Sequence, residues 1–236
     1  MGATLGRRDR LRVETAREIK AIASKQLAAE GAAAISLRAI AREMGMTAGA
    51  IYSYYETRDA LITALVSDVY TAFTDGQQAA LAALPAGDVA QRIMTFGETY
   101  RHWAVSRPEE FQLVYGAPVP GYRSPEGGAA AAAEHRACEL FGDLVAAAWS
   151  LAEHPPVLQE FTWADFGPEF AGAFRERHPE LPAAAAAVAL RVWGRMHGLV
   201  SLEVYGHLTP QSADPTRLYR AELLDLIVSL GLTPPR

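Results

Sequence analysis

The chain has 236 residues, half of them hydrophobic, which is enough to bury one sizeable core or two small ones and excludes a disordered chain. Its longest apolar runs, the alanine stretches at 129–133 and 183–187, fall far short of the roughly 20 residues a membrane span needs, so no membrane partner is expected. The net charge of −5 hides an excess of basic residues at the front: residues 1–60 hold ten Lys/Arg and seven Asp/Glu, the remainder twelve and twenty. Arg7, Arg8, Arg10, Arg12 and Arg17 supply half of that front charge, which suits phosphate attraction and equally a solvated arm over 1–12. The one cysteine, Cys138, excludes an internal disulfide framework. No apolar segment follows the first arginines, so the cytoplasm is the expected location.

Behind the arm, Ile19, Ile22, Ala23 and Leu27 recur at helical spacing, and Gly31 closes a first helix. Ser36 stands before Leu37, Ile40, Ala41 and Met44 as the cap of a second, short helix that Gly45 ends. Thr47 caps a third, with Ile51 and Tyr55 on its inner face and Met46 closing over the turn. Its outer face presents Ala48, Gly49, Ala50, Tyr52, Ser53 and Tyr54. A fourth helix runs from Thr57 to the Asp75-Gly76 pair, where it ends or bends. Further helices are expected near 88–106, 108–116, 128–153, 183–207 and 215–230, with proline-rich breaks between them. No period-two strand pattern and no nucleotide-binding glycine loop occurs, so the fold class is all-α. The division is a three-helix helix-turn-helix domain at 1–62 packed on a larger helical domain at 63–236.

Small residues and phenols on one short helix call for a partner brought close to the backbone. In a helix-turn-helix the second helix of the motif lies in the major groove of double-stranded DNA, and the first crosses the sugar-phosphate backbone. Ala48, Gly49 and Ala50 let the helix sit deep, and Ala48 and Ala50 offer only methyl contacts, so polar base reading falls to Arg38, whose fork fits O6 and N7 of guanine. The hydroxyls of Ser36 and Thr47, the phenols of Tyr52 and Tyr54, and Arg58 suit phosphate oxygens.

The stretch "EGAAAISLRAIAREMGMTAGAIYSYYETRDALITAL" resembles the N-terminal domain of TetR-family transcriptional regulators. Ser36, Leu37, Arg38, Ile40, Ala41, Gly45, Thr47, Gly49, Ile51 and Tyr52 fall on the family pattern; Tyr54, Tyr55 and Arg58 stand where it has His, Phe and Lys. "VWGRMHGLVSLEVYGHL" at 192–208 resembles, less densely, the Trp-x-x-x-His-Gly signature of a C-terminal domain found in many TetR-like proteins. The resemblance implies a homodimeric repressor on a palindromic operator, released by a small-molecule effector, with no cofactor and no metal. The dimer is expected through the last two helices, at 183–189 and at Leu218, Leu223, Leu226, Ile227 and Leu230.

An effector cavity, as the resemblance implies, would draw its wall from Phe96, Tyr100, Trp103, Phe111, Tyr115, Phe141, Trp149, Phe161 and Trp163, although core packing among many alanines accounts for each of them as well. Tyr70 and Phe73, late in the fourth helix, are the residues expected to feel the ligand. His135 and Cys138 at i and i+3 lack a third ligand for zinc. Two other readings stay open: a DNA-binding regulator without a ligand, and an all-α enzyme. The enzyme would rest on Glu153, His154, Asp165, His197 and Cys138, which form no nucleophile and base spacing.

Overall fold

The computed structural model describes residues 6–125, 127–152 and 160–235, and every described secondary-structure element is helical. Ten α-helices follow in order: α1 Arg7–Glu30, α2 Leu37–Glu43, α3 Ala48–Tyr52, α4 Arg58–Ala82, α5 Val89–Ser106, α6 Pro108–Tyr115, α7 Ala129–Leu151, α8 Pro168–Arg177, α9 Ala183–Val204 and α10 Pro215–Ser229. They form two compact units. The first holds the chain up to Thr71 together with Glu109–Glu134, and the second holds Ala72–Pro108 together with the chain from His135 onward. α4 and α7 contribute residues to both.

The core of the first unit is the apolar set that the helical spacing marks out. Ile19, Ile22, Ala23 and Leu27 of α1 meet Leu37, Ile40 and Ala41 of α2, Ile51 of α3, and Leu61, Ile62 and Leu65 of α4. Met46 and Tyr55 pack against this core from its edge. The segment after α6 also belongs here: Val119 is in the core, and Tyr122 meets Thr63 through their hydroxyls at 3.1 Å. Phe111 is fully buried beside Tyr115, whose ring stands edge-on to Tyr70.

In the second unit α5, α9 and α10 pack on one another. Gly97 makes the close approach possible, because a Cβ there would stand 2.5 Å from the Leu223 side chain of α10. Charged pairs tie the same helices together. Arg101 grips Glu203 with two bonds of 2.7 and 2.5 Å, and Arg195 reaches Glu222 and Asp225, each at 2.5 Å. α8 is held to α7 by Arg177, which bonds Asp143 and Glu139 at 2.7 and 3.0 Å.

Three boundaries differ from the sequence reading, each for a physical reason. The expected arm over 1–12 is helical from Arg7, because arginine, leucine, glutamate and alanine favour helix even where none of them is buried; residues 1–5 lie outside the described set. α4 continues past Gly76 to Ala82. A glycine costs a helix about 1 kcal/mol, and the burial of Phe73, Gln77 and Leu81 on either side outweighs it. α8, absent from the sequence reading, starts on Pro168 at its first position and buries Ala171 and Phe174.

Candidate DNA-binding surface

α2 and α3 are set by their caps. Ser36 Oγ accepts from the Ala39 amide at 3.4 Å and Thr47 Oγ1 from the Ala50 amide at 3.2 Å, which satisfies a free donor at the start of each helix. Between them Gly45 takes φ +66, a left-handed conformation in which a side chain is strained, and the Met46 amide returns to Ala41 O at 2.8 Å. Gln26 of α1 receives the Ser36 amide on Oε1 at 3.1 Å, which pins the start of α2 to α1.

α3 is shorter than its pattern, five residues instead of a helix through Tyr55, because Ser53 turns the chain and its hydroxyl donates back to Ala50 O at 2.7 Å. Ala48, Gly49 and Tyr52 are exposed, and Ala50 is half-buried. A Cβ added at Gly49 would meet nothing within 4 Å, so the protein itself does not require the missing side chain. The bare face is a place for an external surface.

Arg38 lies exposed on α2 and forms no ion pair among the described residues. Tyr54 is half-buried against the core and lies under the Arg12 guanidinium, 5.1 Å from the ring centre. Arg58, whose charge suggests a phosphate contact, also braces the protein. Its Nε donates to Ile35 O at 3.0 Å and its Nη2 to Ala32 O at 2.8 Å, so the fork closes the turn between α1 and α2. Arg12, for which the sequence left phosphate attraction and a solvated arm both open, donates from Nη2 to Ser53 O at the end of α3 at 2.8 Å.

The aromatic candidates divide. Phe96, Tyr100 and Trp103 of α5 gather around Phe73, with ring centroids 6.4, 5.9 and 4.8 Å from it, and Phe141 of α7 joins at 5.5 Å from Phe96. Phe111 and Tyr115 belong to the first unit. Phe161 and Trp163 belong to a second group with Phe166, and Trp163 also lines an open cleft of about 400 Å³ with Arg175 stacked on its ring. Trp149 is half-buried on α7. His197 accepts or donates through Nδ1 to Tyr100 Oη at 2.7 Å, and burial pushes its pKa below the ordinary histidine value. Asp165 instead caps a 3-10 turn by accepting from Thr162, and Cys138 is exposed, while Glu153 and His154 lie outside the described residues. No group of three metal-ligating side chains occurs among the described residues, and no described helix is long and apolar enough to cross a membrane.

A capped pair of short helices with a bare, exposed second member, built on a core to which α1 and α4 also contribute, defines a helix-turn-helix DNA-binding protein with a second all-helical unit. Residues 19–65 match the bacterial regulatory proteins of the tetR family, and residues 93–226 match the tetracyclin repressor-like C-terminal domain. The chain is 30% identical to the HTH-type transcriptional regulator Rv1816 of Mycobacterium tuberculosis (strain ATCC 25618 / H37Rv) over 238 residues, covering 96% of this chain and 97% of that protein; Mb1846 of Mycobacterium bovis gives the same values. A crystal structure of a protein designated SCO4313 superposes with a TM-score of 0.74 at 33% identity, covering 94% of this chain and 100% of that one. The chain belongs to the TetR family of transcriptional regulators, which are DNA-binding proteins and not enzymes.

Proposed function

We propose that the protein is a dimeric, ligand-responsive repressor that binds a palindromic operator in the cytoplasm and leaves it when a small, mostly apolar effector enters the second unit. The observation that carries the DNA side is the open face at Gly49, which the fold does not need and a deep groove does. Arg38 is the base reader, and Ser36, Thr47 and Tyr52 are phosphate contacts; both cap hydroxyls keep a proton to donate.

A dimer supplies two such motifs about one helical turn, roughly 34–36 Å, apart. Its interface is assigned to α9 and α10, as the sequence indicated, with Leu218 kept and the buried positions of both helices replaced by exposed ones. Ala185–Ala187, Leu223, Leu226 and Ile227 are spent inside the protomer, whereas Leu190, Trp193, Leu202 and Tyr205 of α9 and Leu218 and Val228 of α10 are exposed. Large exposed apolar side chains on these two helices support pairing with a second copy.

The ligand side rests on the aromatic group around Phe73 and on α4, which carries Phe73 and begins at Arg58 against the turn before α2. The test is binding of the full chain to duplexes selected from a random library, then a screen of neutral, cationic and weakly polar compounds. A palindromic consensus and at least one compound that lowers operator affinity are expected. Compounds that bind without changing DNA affinity would leave a ligand-independent regulator instead.

A further inference from the structure

α1 carries 24 residues, yet its buried side chains Ile19, Ile22, Ala23 and Leu27 all lie in its second half. The first half, with Arg7, Arg8, Arg10, Arg12 and Arg17, is exposed apart from Thr15 and Ala16. Solvation accounts for exposure but not for a fixed direction. Arg12 supplies the direction, since its bond to Ser53 O and its stack on Tyr54 turn one side of α1 toward the C-terminal end of α3. Arg8 stands four residues earlier on that same face, about 6 Å along the axis, and Arg10, two residues from each, points the other way. Neither Arg8 nor Arg12 is neutralised by an ion pair among the described residues.

With α3 in the major groove, the bond from Arg12 to Ser53 O sets the first turns of α1 beside the C-terminal end of α3, outside the two helices of the motif. We infer that the first turns of α1 are a phosphate clamp for duplex DNA, in which Arg8 bonds the strand bordering the groove beside Ser53 and Arg12 is the positioning residue that holds α1 there. The inference rests on the DNA-binding reading and extends it to a surface outside the helix-turn-helix.

The experiment measures operator affinity of the full chain against salt from about 50 to 200 mM for the unmutated protein, Arg8→Ala, Arg10→Ala and Arg12→Ala. Arg8→Ala lowers the slope of log affinity against log salt by about 0.9, one phosphate contact, with sequence preference unchanged. Arg10→Ala removes the same charge from the opposite face and leaves the slope in place. Arg12→Ala lowers the slope, and adding Arg8→Ala to it lowers it no further, because Arg8 is no longer held at the strand. Circular dichroism and melting of each variant separate these effects from unfolding. Equal slope losses in Arg8→Ala and Arg10→Ala, or none in either, overturn the clamp while leaving operator binding intact. A full additional loss on adding Arg8→Ala to Arg12→Ala overturns the positioning role. An unmutated chain that binds no duplex in preference to another sinks the DNA reading and the clamp together.

Discussion

Gly49 separates what the fold needs from what DNA needs. Glycine inside a helix costs roughly 0.5–1 kcal/mol relative to alanine, and here a Cβ has open space, so Gly49→Ala is expected to raise the melting temperature. The same methyl occupies the space into which bases must come, so operator affinity is expected to fall in the same variant. A rise in both, read by melting and by fluorescence anisotropy, would remove the groove-facing role of α3. The two arginines nearby make a second contrast. Arg38 has no partner to lose among the described residues, so Arg38→Ala leaves the fold unchanged and relaxes preference at one base position per half-site by about 1–3 kcal/mol. Arg58 binds the carbonyls of Ala32 and Ile35, so Arg58→Ala destabilises the first unit by about 1–3 kcal/mol, with any loss of DNA binding following from that. Melting curves of the two variants, set beside their binding to a library of operator variants, distinguish these roles.

At the scale of elements, legibility followed burial and caps. α2 and α3 were readable because Ser36 and Thr47 are caps whose chemistry is local, and because Ile40 and Ile51 are core residues at helical spacing. The first half of α1 buries nothing before Ile19 and so shows no apolar period, and α8 is ten residues long with a short apolar face. The role of Arg58 was unreadable because its partners, 23 and 26 residues away, are carbonyls that any residue type could present. Which apolar positions of α10 serve the protomer core was unreadable for a related reason: periodicity marks which positions are apolar, not whether Leu223 faces Gly97 in its own protomer. That contact yields its own prediction. Gly97→Ala should destabilise the second unit by about 1–3 kcal/mol through overpacking, and Leu223→Val in the same chain should restore part of it, which a double-mutant cycle in urea would measure. His197 adds a pH dependence. Burial lowers its folded pKa, so as pH falls below the ordinary value near 6.5 the unfolded chain gains a proton that the folded chain refuses, and stability drops until the folded pKa is passed. Relative to His197→Asn, the unmutated protein should therefore lose melting temperature between about pH 7 and pH 5; parallel curves would mean that the imidazole stays in water.

At the scale of the whole molecule, the exposed apolar side chains of α9 and α10 and the continuity of α4 each carry a prediction. Leu202→Arg places a charge in the proposed pairing face without touching the protomer core, since Leu202 is 44% exposed. It should sediment as a monomer at micromolar concentration and bind only half-sites; a dimer that persists would move the interface elsewhere. α4 runs for 25 residues without a break, and from the turn that Arg58 closes to Phe73 in the aromatic group it spans about 22 Å. A packed helix shifts as a body, so a ligand that displaces the ring of Phe73 from those of Tyr100 and Trp103 also biases the far end of the helix. Release needs a difference in affinity for the free and DNA-bound shapes, and a hundredfold preference for the free shape corresponds to about 2.7 kcal/mol of coupling. Phe73→Leu keeps an apolar side chain of similar burial and loses the edge-on ring contacts with Phe96 and Tyr100. In that variant ligand and operator should each still bind, while the factor by which one weakens the other falls toward one. Measuring operator affinity with and without saturating ligand in both proteins gives that factor directly. An unchanged factor in Phe73→Leu would mean that the signal does not pass through this ring, and a factor of one in the unmutated protein would mean that no signal passes along α4 at all.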